Sequence, residues 1–183
     1  MRQMPPPLRT TCRLLSALCL IGIPTILLLP AVVWISPTAV VALFDALPPE
    51  LPSDLEALGA VPTLNRIGSY LALAVPAAVL CAGLWRLRTM FRCFGRGEVF
   101  SEAPISSLRF FAVTLLLHTI LQPIAGAAAS VFATYHLGPG QRALTISIGS
   151  GELISLALSG LLLVLSWVLL EAVRIDKENR EFI

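Results

Sequence analysis

Four stretches without a single charged residue dominate the chain, at positions 14–35, 67–85, 110–134 and 153–170. Each has about the 17–25 residues that a helix needs to cross a hydrocarbon core ~30 Å thick. In lipid the backbone must satisfy its own hydrogen bonds, so such stretches are expected to be helices. The composition agrees: charged residues make up only 13% of the 183, against roughly 25% in soluble chains. The expected fold is all-α, an integral-membrane four-helix bundle forming a single transmembrane domain over 1–183.

The first stretch resembles the core of a signal peptide in following Arg2, Arg9 and Arg13. Its apolar run exceeds the ~7–15 residues of such a core, and no small-residue cleavage site follows at once. It is therefore expected to be a retained span. A lipoprotein signal is not expected either, because Leu18 precedes Cys19 where a small residue would be needed.

The basic residues set an orientation. Arg2, Arg9 and Arg13 precede the first span; Arg86, Arg88, Arg92, Arg96 and Arg109 lie between the second and third; Arg174, Lys177 and Arg180 follow the fourth. These eleven of the 13 fall on one side of a four-span layout, leaving Arg66 and Arg142 on the other. Cytoplasmic loops carry the excess of Lys and Arg, so both termini are expected inside. The first outer loop carries Asp45, Glu50, Asp54 and Glu56 instead. Trp34, Tyr70 and Tyr135 then fall at outer ends and Trp85 and Trp167 at inner ends, where amphipathic rings sit at headgroup level. Cys12, Cys19, Cys81 and Cys93 map to the inner side or inner half of a span. That is the reducing side, and free thiols are expected.

The segments between the spans carry their own signals. In the outer loop, 36–66, Ser36-Pro37 opens a short apolar-faced helix through Val40, Val41, Leu43, Phe44 and Leu47, suited to the membrane interface. Ser53-Asp54-Leu55-Glu56 is a capping box with Gly59 placed to end a second short helix. In the cytoplasmic loop, 86–109, Leu84, Leu87, Phe91 and Phe94 keep helical spacing, so the second span should continue past the membrane. Gly95-Arg96-Gly97 breaks it, and Ser101, Glu102 and Pro104 suit the start of the next helix. The resulting helical hairpin presents arginines that can meet anionic lipid heads, each contributing about 1 kcal/mol near the surface. Topology accounts for these arginines without nucleic acid. The second outer loop, 135–152, could be briefly extended at Thr145-Ile146-Ser147-Ile148, and Ser150 and Glu152 suit the start of the fourth helix. In the tail, 171–183, Arg174–Glu178, Asp176–Arg180 and Lys177–Glu181 are spaced i, i+4.

Inside the spans, Thr114, His118, Gln122, Gly126 and Ser130 follow one another in steps of four, on one slowly drifting face of the third helix. His118 lies about 13 Å along the helix from Arg109, at 1.5 Å per residue. An intramembrane ionisable group suggests a functional site with a named partner. No Asp, Glu, Lys or Arg occurs in any span, however, and a proton relay usually needs one. Small and polar residues also line helix contacts, and Ser155, Ser159 and Ser166 with Gly160 offer a matching face on the fourth helix. Helix packing is the favoured expectation for this face, and a ligand or proton site the alternative. Pro24, Pro76 and Pro123 fall inside spans and are expected to bend them.

Gly95-Arg96-Gly97 begins a G-x-G, but Phe100 occupies the third glycine's place and no strand–helix–strand pattern surrounds it. Gly149-Ser150-Gly151 lacks the G-x-S-x-G spacing of a nucleophile elbow. No metal-ligand or catalytic constellation stands out. No cofactor is expected, and the chain is read as not an enzyme.

Two segments carry a resemblance: Gly95-Arg96-Gly97-Glu98-Val99-Phe100-Ser101 with Ile105 and Leu108-Arg109, and the closing Glu171-Ala172-Val173-Arg174-Ile175-Asp176-Lys177-Glu178-Asn179-Arg180-Glu181-Phe182-Ile183. Together they resemble bacterial domain-of-unknown-function family 2975, small four-helix membrane proteins. The resemblance implies a bacterial cytoplasmic-membrane protein and supplies no catalytic residues. Members of that family often lie beside small helix-turn-helix regulators, which implies a regulatory role. Gly95, Gly97, Phe100 and Ser101 with Glu178, Asn179 and Phe182 form the candidate cytoplasmic motif, expected to pack hairpin against tail. The partners expected are the lipid bilayer and either a cytoplasmic protein or a second copy of the chain. The functional alternative is a small transporter or channel subunit using Thr114, His118, Gln122, Ser130, Ser155 and Ser159.

Overall fold

A computed structural model describes residues 6–35, 61–97, 101–136, 144, 146 and 148–181. The described residues form four α-helices and no strand: α1 Pro6–Ile35, α2 Thr63–Gly95, α3 Glu102–Thr134 and α4 Ser150–Glu181. All four are long and apolar enough to cross a membrane. This is the architecture of a multi-pass membrane protein, and each expected span lies within one helix.

The helices run 30 to 33 residues, or about 45–50 Å at 1.5 Å per residue. A hydrocarbon core is about 30 Å thick, so every helix is longer than the layer it can cross. The excess falls where the charges fall. α2 continues through Arg86, Arg88 and Arg92 to Gly95, and α4 through Arg174 to Glu181.

Local chemistry sets the ends. At the start of α2 the Pro62 carbonyl accepts from the N–H groups of Asn65 and Arg66, and Arg66 Nε donates to the Val61 carbonyl at 2.6 Å. At its end the N–H of Arg96 donates to Cys93 O and that of Gly97 to Phe94 O. Gly97 has φ 88°, the left-handed conformation that a side chain disfavours. The expected break at Gly95-Arg96-Gly97 is therefore present. α3 starts directly after Ser101, with Glu102 in its first turn. α4 begins at Ser150 itself, so its cap falls one residue earlier than expected. Glu152 Oε2 accepts the N–H of Gly149 at 2.8 Å, the reciprocal half of a capping box.

Prolines are carried inside α1 at Pro24 and Pro30, in α2 at Pro76 and in α3 at Pro123. Pro30 adds one to the three named from the sequence. Each helix continues past its prolines. The short helices expected at 40–47 and after Ser53 lie outside the described residues, and so do Thr145 and Ser147.

The chain divides into two compact units. One holds Met1–Ile23, Val79–Thr119 and Gly149–Ile183. In it α1 runs antiparallel to α2, with the Cys81 thiol donating to Ile23 O at 3.6 Å and Leu84 beside Gly22. α2 and α3 form a hairpin, where Arg86 stacks on the Phe110 ring at 5.2 Å. A Cβ at Gly83 would collide with Thr114 Oγ1 and come within 3.2 Å of the Phe111 ring. The buried residues recur in steps of three, four and seven: Cys12 and Cys19 on α1; Ile105, Leu108, Ala112, Leu115 and Thr119 on α3; Ser159, Ser166 and Val173 on α4. A seven-residue repeat is the seam of left-handed helix packing. Small residues dominate it because in lipid close approach, rather than hydrophobicity, drives helix association. Away from this seam α4 exposes Leu153, Ile154, Leu161 and Val168, which suit lipid.

The other unit holds Pro24–Ala78 and Ile120–Ile148. Ser69, Ala125, Ala127 and Ala129 are buried in it, with the Phe132 ring lying over Gly68. Ser69 is fully buried. Its hydroxyl contacts two carbonyl oxygens at 3.0 Å, Asn65 on its own helix and Ala129 on α3. Tyr70 donates to Leu27 O at 3.1 Å, tying α2 to α1.

Candidate functional site

The polar face expected on α3 comprises five positions. Thr114 and His118 belong to the first unit, Gln122, Gly126 and Ser130 to the second. Thr114 is buried, and its hydroxyl lies 3.0 Å from Phe110 O and 2.9 Å from Phe111 O. Both carbonyls are on its own helix, and the side chain is wedged against Gly83. Ser130 bonds Ala127 O at 2.8 Å, again on its own helix. His118 and Gln122 are half-buried.

The matching face on α4 behaves likewise. Ser159 and Ser166 are fully buried and donate to Leu156 O at 2.8 Å and Leu163 O at 2.7 Å. Ser155 is half-buried. Ser159 and Ser166 fill the seam as small residues and keep their hydrogen bonds within the helix, as Ser and Thr commonly do.

Three hydrogen bonds to a neighbouring helix come from α2, through Ser69, Tyr70 and Cys81. Ser69 was not singled out in the sequence, and Tyr70 was read only as an interfacial ring. A signal for Ser69 was present. Equal counting outward from the turn after Gly95 pairs Gly83 with Thr114, and Ser69 with the alanine run at 125–129.

The cytoplasmic motif is partly visible. Gly95 closes α2 and lies beside Cys12, Gly97 makes the turn, and Ser101 precedes α3. Glu178 pairs with Arg174 at 3.1 Å, both exposed. Phe100, Phe182 and the side chain of Asn179 lie outside the described residues, and so does the expected packing of hairpin on tail. The side chains of the other two i, i+4 pairs lie outside them as well. All four cysteines are free and buried.

A feature absent from the sequence reading lies between α1 and α2 in the first unit. Arg9 and Arg13 of α1 face Arg92 and Arg96 at the end of α2 across a cavity of about 330 Å³. One turn before Arg92, Arg88 stacks on Trp85 at 5.3 Å, its buried Nε without a hydrogen-bond partner among the described residues. Nearly eighty residues separate the two arginine pairs in the chain, so no spacing rule would have joined them.

A family model described as "Protein of unknown function (DUF2975)" matches residues 50–183. No curated protein and no solved structure matches significantly.

Proposed function

The chain belongs to the DUF2975 family, and on that premise we propose that it is a non-enzymatic protein of the bacterial inner membrane. In this reading four spans leave both termini, the α2–α3 hairpin and the tail in the cytoplasm, where hairpin and tail engage a regulatory protein partner. The observation that carries it is the distribution of charge over the two units. Arg9, Arg13, Arg86, Arg88, Arg92, Arg96, Arg109 and Arg174 belong to the unit that also holds the hairpin and the tail, and Arg66 alone among the described basic side chains belongs to the other. The positive-inside bias then favours the cytoplasm for the charged unit. The helical continuations to Gly95 and Glu181 supply rigid, polar surface beyond the bilayer.

Co-purification from membranes tests the partner. A stoichiometric soluble protein should accompany the full chain and be lost on deletion after Ala172. Its absence from the full-length preparation, or its retention by the truncated chain, would count against the regulatory reading.

Transport through the third helix has weaker support. Thr114 is committed to its own backbone and to Gly83. The four charge-free stretches hold no Asp, Glu, Lys or Arg, which a proton relay usually needs.

A further inference from the structure

Four arginines line one cavity in the first unit. Arg9 and Arg13 are one turn apart on α1, and Arg92 and Arg96 are likewise one turn apart, at the end of α2 and just past it. The helices approach closely where Cys12 faces Gly95, 3.9 Å from a Cβ built there. That contact walls the cavity, and the Phe91 ring and Ser16 complete its lining. Among the described residues no carboxylate lines it, and none of the four arginines makes an ion pair with a described residue.

Like charges gathered around one space repel unless an anion lies between them. Guanidinium forks match phosphate oxygens, and bidentate Arg–phosphate pairs are among the strong charge-assisted bonds. The positive end of α1 adds to the field. The carbonyl end of α2 opposes it with about half a charge, well short of the four arginines. At about 330 Å³ the cavity is at the small end of ligand pockets, which span about 300–1,000 Å³. It suits a compact headgroup and not a duplex or a protein surface. Phe91 offers an apolar wall to the body that carries the phosphate, and Ser16 a hydroxyl.

We propose that this cavity between α1 and α2 binds a phosphate group, carried either on an anionic phospholipid headgroup or on a small soluble molecule. The site does not depend on which side of the membrane the termini occupy, because a reconstituted bilayer can present the same lipid on both faces.

The test uses the full chain in nanodiscs. In one arm inorganic phosphate is titrated into phosphatidylcholine discs. In the other, phosphatidylglycerol is introduced without phosphate and bound lipid is read by native mass spectrometry. All four arginines are exposed, so Arg13→Gln with Arg92→Gln should leave the fold intact, and Arg9→Gln with Arg96→Gln is an independent second pair. Removing one charge-assisted contact costs roughly tenfold in affinity, so either pair should weaken binding about a hundredfold. Arg86→Gln with Arg109→Gln removes the same charge elsewhere and should change binding less than about threefold. Binding in the first arm identifies a soluble phosphate, and binding in the second a lipid headgroup. Failure of wild type to bind either probe would overturn the proposal, as would equal weakening by the cavity and control variants.

Discussion

Gly83 of α2 and Thr114 of α3 are packed so closely that a single added methyl group would overlap the threonine hydroxyl. Thr114 cannot turn away without cost, because its Oγ1 lies within bonding distance of Phe110 O and Phe111 O. The contact sets the helix spacing in that part of the hairpin.

Gly83→Ala should therefore destabilise the protein by about 1–3 kcal/mol, the usual cost of overpacking. Thr114→Ala in the same chain should recover part of the loss, since the colliding oxygen is gone while the Thr114 Cβ remains 3.1 Å from the new methyl. Unfolding in detergent of both single variants and the double gives the coupling. Additive effects would deny the contact.

Ser69 and Ser159 are both fully buried serines, yet they should respond differently. The Ser69 hydroxyl reaches across to Ala129 O, whereas Ser159 bonds only Leu156 O on its own helix. Interhelical bonds in membranes contribute about 0.6–2 kcal/mol. Ser69→Ala should lose that much, and Ser159→Ala should change stability by less than about 0.5 kcal/mol. The same unfolding assay compares them directly.

At the hairpin turn, Gly97→Ala places a side chain at φ 88° and should cost about 1 kcal/mol. Gly95→Ala should be neutral or slightly stabilising. Gly95 is helical, and its new methyl would meet Cys12 at 3.9 Å, an ordinary contact. Equal losses at the two positions would show that the turn does not need its left-handed residue.

His118→Leu should alter packing by no more than about 2 kcal/mol and leave any flux into proteoliposomes unchanged. A flux that disappears in a variant folded as well as wild type would move the function to the third helix.

The existence of four helices was legible because a charge-free run of span length has few other outcomes. The break after α2 was legible from Gly95 and Gly97, and the start of α3 from Ser101. What remained hidden was rotation about each helix axis. Residues facing lipid and residues facing a neighbour are both apolar, so the pattern that marks the buried face of a soluble helix is faint here. The α3 stripe of Thr114, His118, Gln122 and Ser130 stood out as polar, but its hydroxyls bond their own backbone. Ser69, isolated among Gly68 and Tyr70, gave no stripe and makes the longer-range bond. The arginine cavity required knowing that the start of α1 meets the end of α2.

Orientation across the bilayer is tested most directly by labelling with a membrane-impermeant maleimide. The four buried native thiols would first be replaced by alanine, and single cysteines introduced at exposed positions. Leu64→Cys and His136→Cys should label in intact cells, whereas Arg96→Cys and Glu178→Cys should label only after permeabilisation. Labelling of Arg96→Cys or Glu178→Cys in intact cells would contradict the inward placement of hairpin and tail.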